Sequence, residues 1–221
     1  MQQANLPFEA SPDYSRESFL VSDCNREALT WIDAWPDWSV GNLYLYGPAG
    51  SGKTHLAHLW ARSTQAVFLD QAKLGAESSA QLTAKGSAFI LDGLKAGYDE
   101  TGLFHLLNHL RETKAPLLIT ATLPPLQQGI ALPDLASRLQ AMPIAALSSP
   151  DDALASAMLV KLFHDRQLRV APEVIDYILP RIERSFDAIQ KLVNLLDQEA
   201  LRQHKNITVP FVRSLMESLW R

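Results

Sequence analysis

The sequence predicts an α/β fold, a P-loop module with a parallel sheet flanked by helices and followed by a small all-α lid. Three observations predict it. First, four short apolar runs read as strands: Asn42–Tyr46 (NLYLY), 66–69 (AVFL), 87–91 (SAFIL) and 117–121 (LLITA). Apolar strands without polar alternation belong to a parallel sheet covered on both faces. Second, helical spacing separates them. Leu56, Leu59 and Trp60 fall on one side of 52–63, and Leu103, Leu106, Leu107 and Leu110 on one side of 99–113. A weaker helix covers 72–85. Third, the βα alternation stops near Ala146, and the rest reads as helix over 151–168, 172–183, 186–203 and 210–220. Ser149 or Asp151 can cap the first of these, and Pro172 and Pro210 sit where a first helical turn tolerates proline.

These elements divide the chain into a tail over 1–18, an α/β base over 19–148 and a helical lid over 149–221. The tail holds Pro7, Pro12 and small polar residues. The whole has 221 residues, which predicts one to two domains at ~150 residues each. With 47% hydrophobic and 20% charged residues, wholesale disorder is excluded. The net charge is −4, from 20 Lys+Arg and 24 Asp+Glu. Residues 1–150 hold 10 basic and 14 acidic side chains; 151–221 hold 10 of each. A protein that coats nucleic acid through general basicity is not expected. The single cysteine, Cys24, excludes an internal disulfide and fits a reducing compartment. The longest apolar run, 115–126, is broken by Pro116, Pro124 and Pro125 and falls far short of the ~20 residues of a membrane span. The first residues, MQQANLPFEASPD, lack the basic and apolar regions of a signal peptide. A cytoplasmic protein without membrane contact is expected.

The strongest motif is GPAGSGKT (47–54), which fits G-x-x-x-x-G-K-[ST] between a strand and a helix. Its glycines let successive N–H groups face phosphate oxygens, and the helix N-terminus adds a favourable dipole. Lys53 is expected on the β- and γ-phosphates and Thr54 on Mg²⁺. Asp92 ends the SAFILD run, 39 residues after Lys53, and has the form of the second Mg²⁺ group. Gly93 follows it, where many ATPases carry a second acid, and weak intrinsic hydrolysis is expected. Thr122 follows LLITA and can reach the γ-phosphate; equally, it can satisfy a turn at the strand end. Arg138 stands alone in LASRL, a setting in which solvation or a salt bridge is the commoner fate. His105 and His109 are four apart among core leucines, without the glutamate of a zinc-protease motif, so no metal is expected there. The tail carries Gln3, Leu6, Pro7 and Phe8, a spacing suited to a short docking peptide whose apolar side chains enter a partner's pocket.

Taken together, these segments resemble the AAA+ family of bacterial replication initiators, DnaA, and within it the short Hda-type regulators. The likeness covers nearly the whole chain. Residues 17–25 (ESFLVSDCN) are similar to the segment before the family's first helix, which implies Asn25 near the adenine. GPAGSGKTHL (47–56) is similar to the initiator P-loop, which implies nucleotide contacts from Gly47, Ala49, Gly50, Ser51, Gly52, Lys53, Thr54 and His55. ITATLPP (119–125) looks like the sensor 1 strand, and LASRLQAMPIAAL (135–147) like the segment that carries the arginine finger, here Arg138. The segments 165–178 and 207–212 look like the helical lid, and QANLPF (3–8) like a peptide that binds the sliding clamp of DNA polymerase.

The resemblance implies ADP or ATP with Mg²⁺, and a regulator that, with the clamp, promotes ATP hydrolysis on DnaA through an arginine finger given in trans. It is compatible with a homodimer that hides or presents Arg138. Two departures matter. Gly93 replaces an acid, and Asp187 falls where the family carries a sensor 2 arginine, with Arg184 three residues earlier. Both predict nucleotide binding with poor hydrolysis. The chain ends after the last lid helix, so direct sequence-specific DNA binding through a helix-turn-helix domain is not expected. The alternatives are a self-sufficient ATPase of DnaC-like loader type and a pure clamp-docking adaptor with a structural nucleotide.

Overall fold

The computed structural model describes residues 13–38, 41–95 and 97–219. A five-stranded, wholly parallel sheet forms the base, in the order β2-β3-β4-β1-β5. Its strands are β1 (Asn42–Tyr46), β2 (Val67–Phe68), β3 (Phe89–Leu94), β4 (Leu117–Ala121) and β5 (Ile144–Ala146). The helices are α1 (Arg26–Asp33), α2 (Lys53–Thr64), α3 (Ser79–Leu82), α4 (Glu100–Thr113) and α5 (Pro133–Gln140) in the base. The lid contributes α6 (Asp152–Asp165), α7 (Pro172–Ile178), α8 (Phe186–Gln203) and α9 (Val209–Leu219).

The period-2 alternation of each strand feeds two separate apolar layers. Leu43, Leu45, Ile90 and Leu118 point to the layer of α1 and α2, with Leu56, Ala57 and Trp60. Tyr44, Phe89, Leu91, Leu117 and Ile119 point the other way, to Leu103, Leu106 and Leu110 of α4 and Leu135 and Leu139 of α5. The lid has its own core, centred on Leu159, Ile178, Ile189, Val193, Leu196 and Val212.

Strand β5 is absent from the sequence reading. Its three residues, IAA, are too few to show a period, and only their pairing with Tyr44–Tyr46 makes them a strand. The helix expected over 72–85 is instead a 3-10 turn at Gln71–Lys73, capped by Asp70, and the single turn α3, closed by a capping box of Ser78 and Gln81. Each local cap draws the backbone into its own short turn, and Gly75 separates them. The helix expected to 183 ends at Ile178 and tightens into a 3-10 turn at Leu179–Arg181, because Pro180 has no N–H to continue the α ladder.

Residues 13–18, read as the end of the tail, fold into a strap against α2. The Asp13 carboxylate accepts from the Ser15 N–H (2.8 Å) and hydroxyl (2.9 Å), and the Tyr14 ring stacks on His58 at 4.0 Å. Lid and base are joined at the loop by a backbone bond, Phe186 N–H donating to Gly50 C=O at 2.8 Å, and at the end of the base that leads into the lid Ser148 N–H donates to Cys24 C=O at 2.9 Å. Among the described residues, no helix is long and apolar enough to cross a membrane.

Trp60 is fully buried, stacked on Trp38 at 5.0 Å and edge-on to Trp35. Trp60→Ala is expected to cost ~3–5 kcal/mol. Urea titration should show a lowered midpoint with an unchanged slope.

Candidate functional site

The site begins where β1 ends. A Cβ on Gly47 would collide with the carbonyl oxygen of Leu147, so glycine alone lets the loop pass the end of β5. Gly50 has φ +67°, and a Cβ there would approach Ser185 to 3.0 Å and Asp187 to 3.2 Å. Its smallness is what admits the lid to the loop. Ala49 is exposed at the tip, and Ser51 is buried. Helix α2 opens at Lys53 with Gly52 as N-cap and no side-chain cap. Its first N–H groups and its dipole are therefore available to an anion.

Lys53 is 8% exposed. Its ammonium donates to Gly47 C=O at 2.8 Å and Pro48 C=O at 2.7 Å. Burial pulls its pKa below the ordinary lysine value, and the charge of Asp92 opposes that shift. Behind it, three elements meet on one carboxylate. The Thr54 hydroxyl donates to Asp92 Oδ2 at 2.9 Å, and the Thr120 hydroxyl donates to Asp92 Oδ1 at 2.6 Å. The Thr120 oxygen in turn accepts the Gly93 N–H at 2.7 Å. Asp92 sits where the register of β3 on β4 breaks, between Leu91 and Leu94. The break turns the carboxylate toward Thr54 at the start of α2. Thr54 and Asp92 form an all-oxygen donor pair, which suits Mg²⁺ completed by phosphate oxygens and water. Among the described residues no cluster of three or more His, Cys, Asp or Glu stands ready for a metal.

A cavity of about 450 Å³ opens over this loop, between the strap, the start of α2 and the lid. Phe19, Leu20, Met158, Leu162 and Phe186 give it an apolar side; Ser51, Lys53, Thr54 and Asp187 give it a polar end. His55 also lines it and holds the strap, its Nε2 lying 2.9 Å from Ser15 C=O and its ring edge-on to Phe19. Burial lowers the pKa values of both His55 and His58.

The structure thus brings Gly50, Ser51, Gly52, Lys53, Thr54 and His55 to one cavity, with Asp92 bonded to Thr54 behind it. Asn25 does not line it. Its amide is fully buried, accepting from Ser22 N–H at 3.0 Å and donating to Leu20 C=O at 2.9 Å, so it shapes the loop that presents Leu20. Thr122 is exposed, and Thr120, two residues earlier, is the threonine against Asp92. Sequence reasoning passed over Thr120; the one polar side chain inside LLITA was the available signal. Asp187 lines the cavity and pairs with Lys191 at 2.6 Å, while Arg184 is turned away in an ion pair with Asp152. Gln3, Leu6, Pro7 and Phe8 lie outside the described residues.

Arg138 stands elsewhere. Its guanidinium lies over the Phe104 ring, 4.9 Å from the centroid, beside a groove of about 900 Å³ that shares no lining residue with the loop cavity. Among the described residues it has no ion pair.

Residues 152–216 match the family model of the Hda lid domain. Domain III of DnaA from Thermotoga maritima superposes with a TM-score of 0.78 at 20% identity, over 94% of this chain and 97% of that one. The chain has the AAA+ fold, with an Hda-type lid. AMPPCP-bound DnaA from Aquifex aeolicus is similar over 84% of this chain and 65% of that one, with a TM-score of 0.70 at 18% identity. A mutant of RuvB from Thermotoga maritima is similar over 94% of this chain and 72% of that one, with a TM-score of 0.69 at 19% identity. In sequence, an uncharacterized protein of Haemophilus influenzae is 29% identical over 97% of this chain and 98% of its own length. The lid match and the likeness to domain III agree on one arrangement, an α/β base followed by a helical lid.

Two outcomes are expected from the site's geometry. Thr120→Val strips one acceptor oxygen of Asp92 and the Gly93 N–H of their partner, and should destabilise the fold by ~1–3 kcal/mol in denaturant titration. The second concerns pH. His55 and His58 have folded pKa values below the unfolded value of 6.5, so the unfolded chain takes up protons first on acidification. Stability is fully present above that value and is lost as pH falls through it toward the folded values. The double variant His55→Gln, His58→Gln should lose less stability between neutral and acid pH, measured by urea midpoints.

Proposed function

We propose that this AAA+ module binds an adenine nucleotide with Mg²⁺ in the loop cavity and acts as a cytoplasmic regulator of the replication initiator DnaA. In this reading it stimulates hydrolysis of the initiator's ATP by presenting Arg138 in trans. The observation that supports this most is the separation of Arg138 from the chain's own phosphate loop, together with a guanidinium that has no carboxylate partner among the described residues. Phosphoryl transfer needs positive charge where it builds up on the transferred group, and an arginine from a neighbour is worth ~10³–10⁵ in rate.

On the chain's own nucleotide, the loop N–H groups and Lys53 would take the phosphates, while the apolar side of the cavity would take the base. Bound Mg²⁺ would neutralise phosphate charge between Thr54 and Asp92. Asp187 faces the polar end of the cavity from the lid, and Gly93 offers no second acid after Asp92. Both favour ADP over ATP and slow intrinsic hydrolysis, because a carboxylate repels a further phosphate charge. The tail residues Gln3, Leu6, Pro7 and Phe8 would dock on the sliding clamp, which brings the regulator to DNA-bound initiator. A homodimer would compete for Arg138 and so restrain the activity.

Phosphate release from ATP-bound DnaA, with and without this protein and the DNA-loaded clamp, tests the reading. Stimulation is expected with the wild type. Arg138→Ala should lose about 10³-fold of it while nucleotide affinity, by calorimetry, stays unchanged. Full stimulation by Arg138→Ala would overturn the assignment.

A further inference from the structure

One carboxylate outside the loop cavity joins two helices. Glu100 lies half-buried in the first turn of α4. Its Oε1 accepts the Ala131 N–H at 3.0 Å, and its Oε2 accepts the Leu132 N–H at 2.7 Å. Leu132 is the N-cap of α5 and has no side chain able to cap it. Helix α5 has only eight residues, too few to hold a helix by local energetics alone. Its entry is therefore fixed from outside, by the two oxygens of Glu100.

The same face of α4 meets α5 a second time. Phe104 is four residues after Glu100, one turn along the helix, and its ring lies under the Arg138 guanidinium. Leu135 and Leu139 bury the inner side of α5 in the sheet layer. Apolar contacts set the depth of a helix but are non-directional, so they tolerate sliding and rotation. Two charge-assisted hydrogen bonds from one carboxylate are directional and do not.

We infer that Glu100 is a positioning residue for Arg138. By pinning the 131–132 backbone it fixes the rotation and register of α5, and so sets where the guanidinium stands on Phe104. The inference rests on the reading of Arg138 as a group presented to a neighbouring nucleotide, and extends it to the residue that aims the group.

The test pairs a spectroscopic readout with a kinetic one. The Phe104 ring current shifts the Arg138 side-chain resonances, which are followed by NMR in wild type, Glu100→Gln and Glu100→Ala. These resonances should move toward those of a free arginine in Glu100→Ala and part of the way in Glu100→Gln, which keeps one good acceptor. Thermal unfolding controls for the fold. Stimulated phosphate release from ATP-bound DnaA is then titrated with each variant. Glu100→Ala should lower the maximal rate about tenfold to a hundredfold, with the half-saturating concentration unchanged. Combined with Arg138→Ala it should cause no further loss. Unmoved Arg138 resonances, or a loss additive with Arg138→Ala, would overturn the inference. If the wild type gives no stimulation while the resonances still move in Glu100→Ala, the regulatory reading falls and the aiming of Arg138 by Glu100 stands.

Discussion

A glycine-rich loop at the head of a helix can offer its N–H groups to an anion only if it is held rigid by other means, and the structure meets that constraint through carbonyls. Gly50 C=O accepts from the lid at Phe186, and Gly47 and Pro48 C=O accept from Lys53. The N–H groups at the start of α2 remain uncapped. The Gly50 carbonyl therefore ties the lid to the loop, beside Leu20 and Cys24 of the base, which pack against the lid core. Around that tie lie the walls of the cavity: Asp187 over the polar end, Met158 and Leu162 over the apolar side, and the strap closing the remaining edge. Because a side chain at Gly50 would press on Ser185 and Asp187, loop and lid are matched through the absence of an atom.

The loop itself was legible because its chemistry is local. Eight consecutive residues carry the glycines, the lysine and the hydroxyl, and the strand before and helix after follow from simple apolar patterns. The four main strands and the lid helices were legible for the same reason. What escaped the sequence depends on contacts between distant segments. Strand β5 exists only through its partner β1. Thr120 matters because β3 and β4 are neighbours in the sheet, which places its hydroxyl on Asp92 from 28 positions away. Asn25 shows the converse: a polar residue beside a functional loop can be wholly consumed in shaping the backbone that another residue uses.

The two ends of the chemistry obey different rules. The loop cavity is closed by hydrogen bonds from three segments, and its cation is buried among its own carbonyls. Arg138 sits on a short helix borrowed onto α4, cushioned on an aromatic face. A buried lysine acts on what enters its own cavity. A half-buried arginine without a carboxylate partner keeps all of its donors for a surface brought to it.

Four of the five tryptophans, Trp31, Trp35, Trp38 and Trp60, belong to the base, and three of them, Trp35, Trp38 and Trp60, stack into one cluster behind α2. The described lid residues contain none. The described indoles thus form a natural optical label on one of the three apolar cores. In a Trp220→Phe background, near-ultraviolet circular dichroism and indole emission will track the melting of the sheet layer, whereas far-ultraviolet helicity comes about equally from base and lid, so a gap between the two melting curves would measure how independently the lid unfolds.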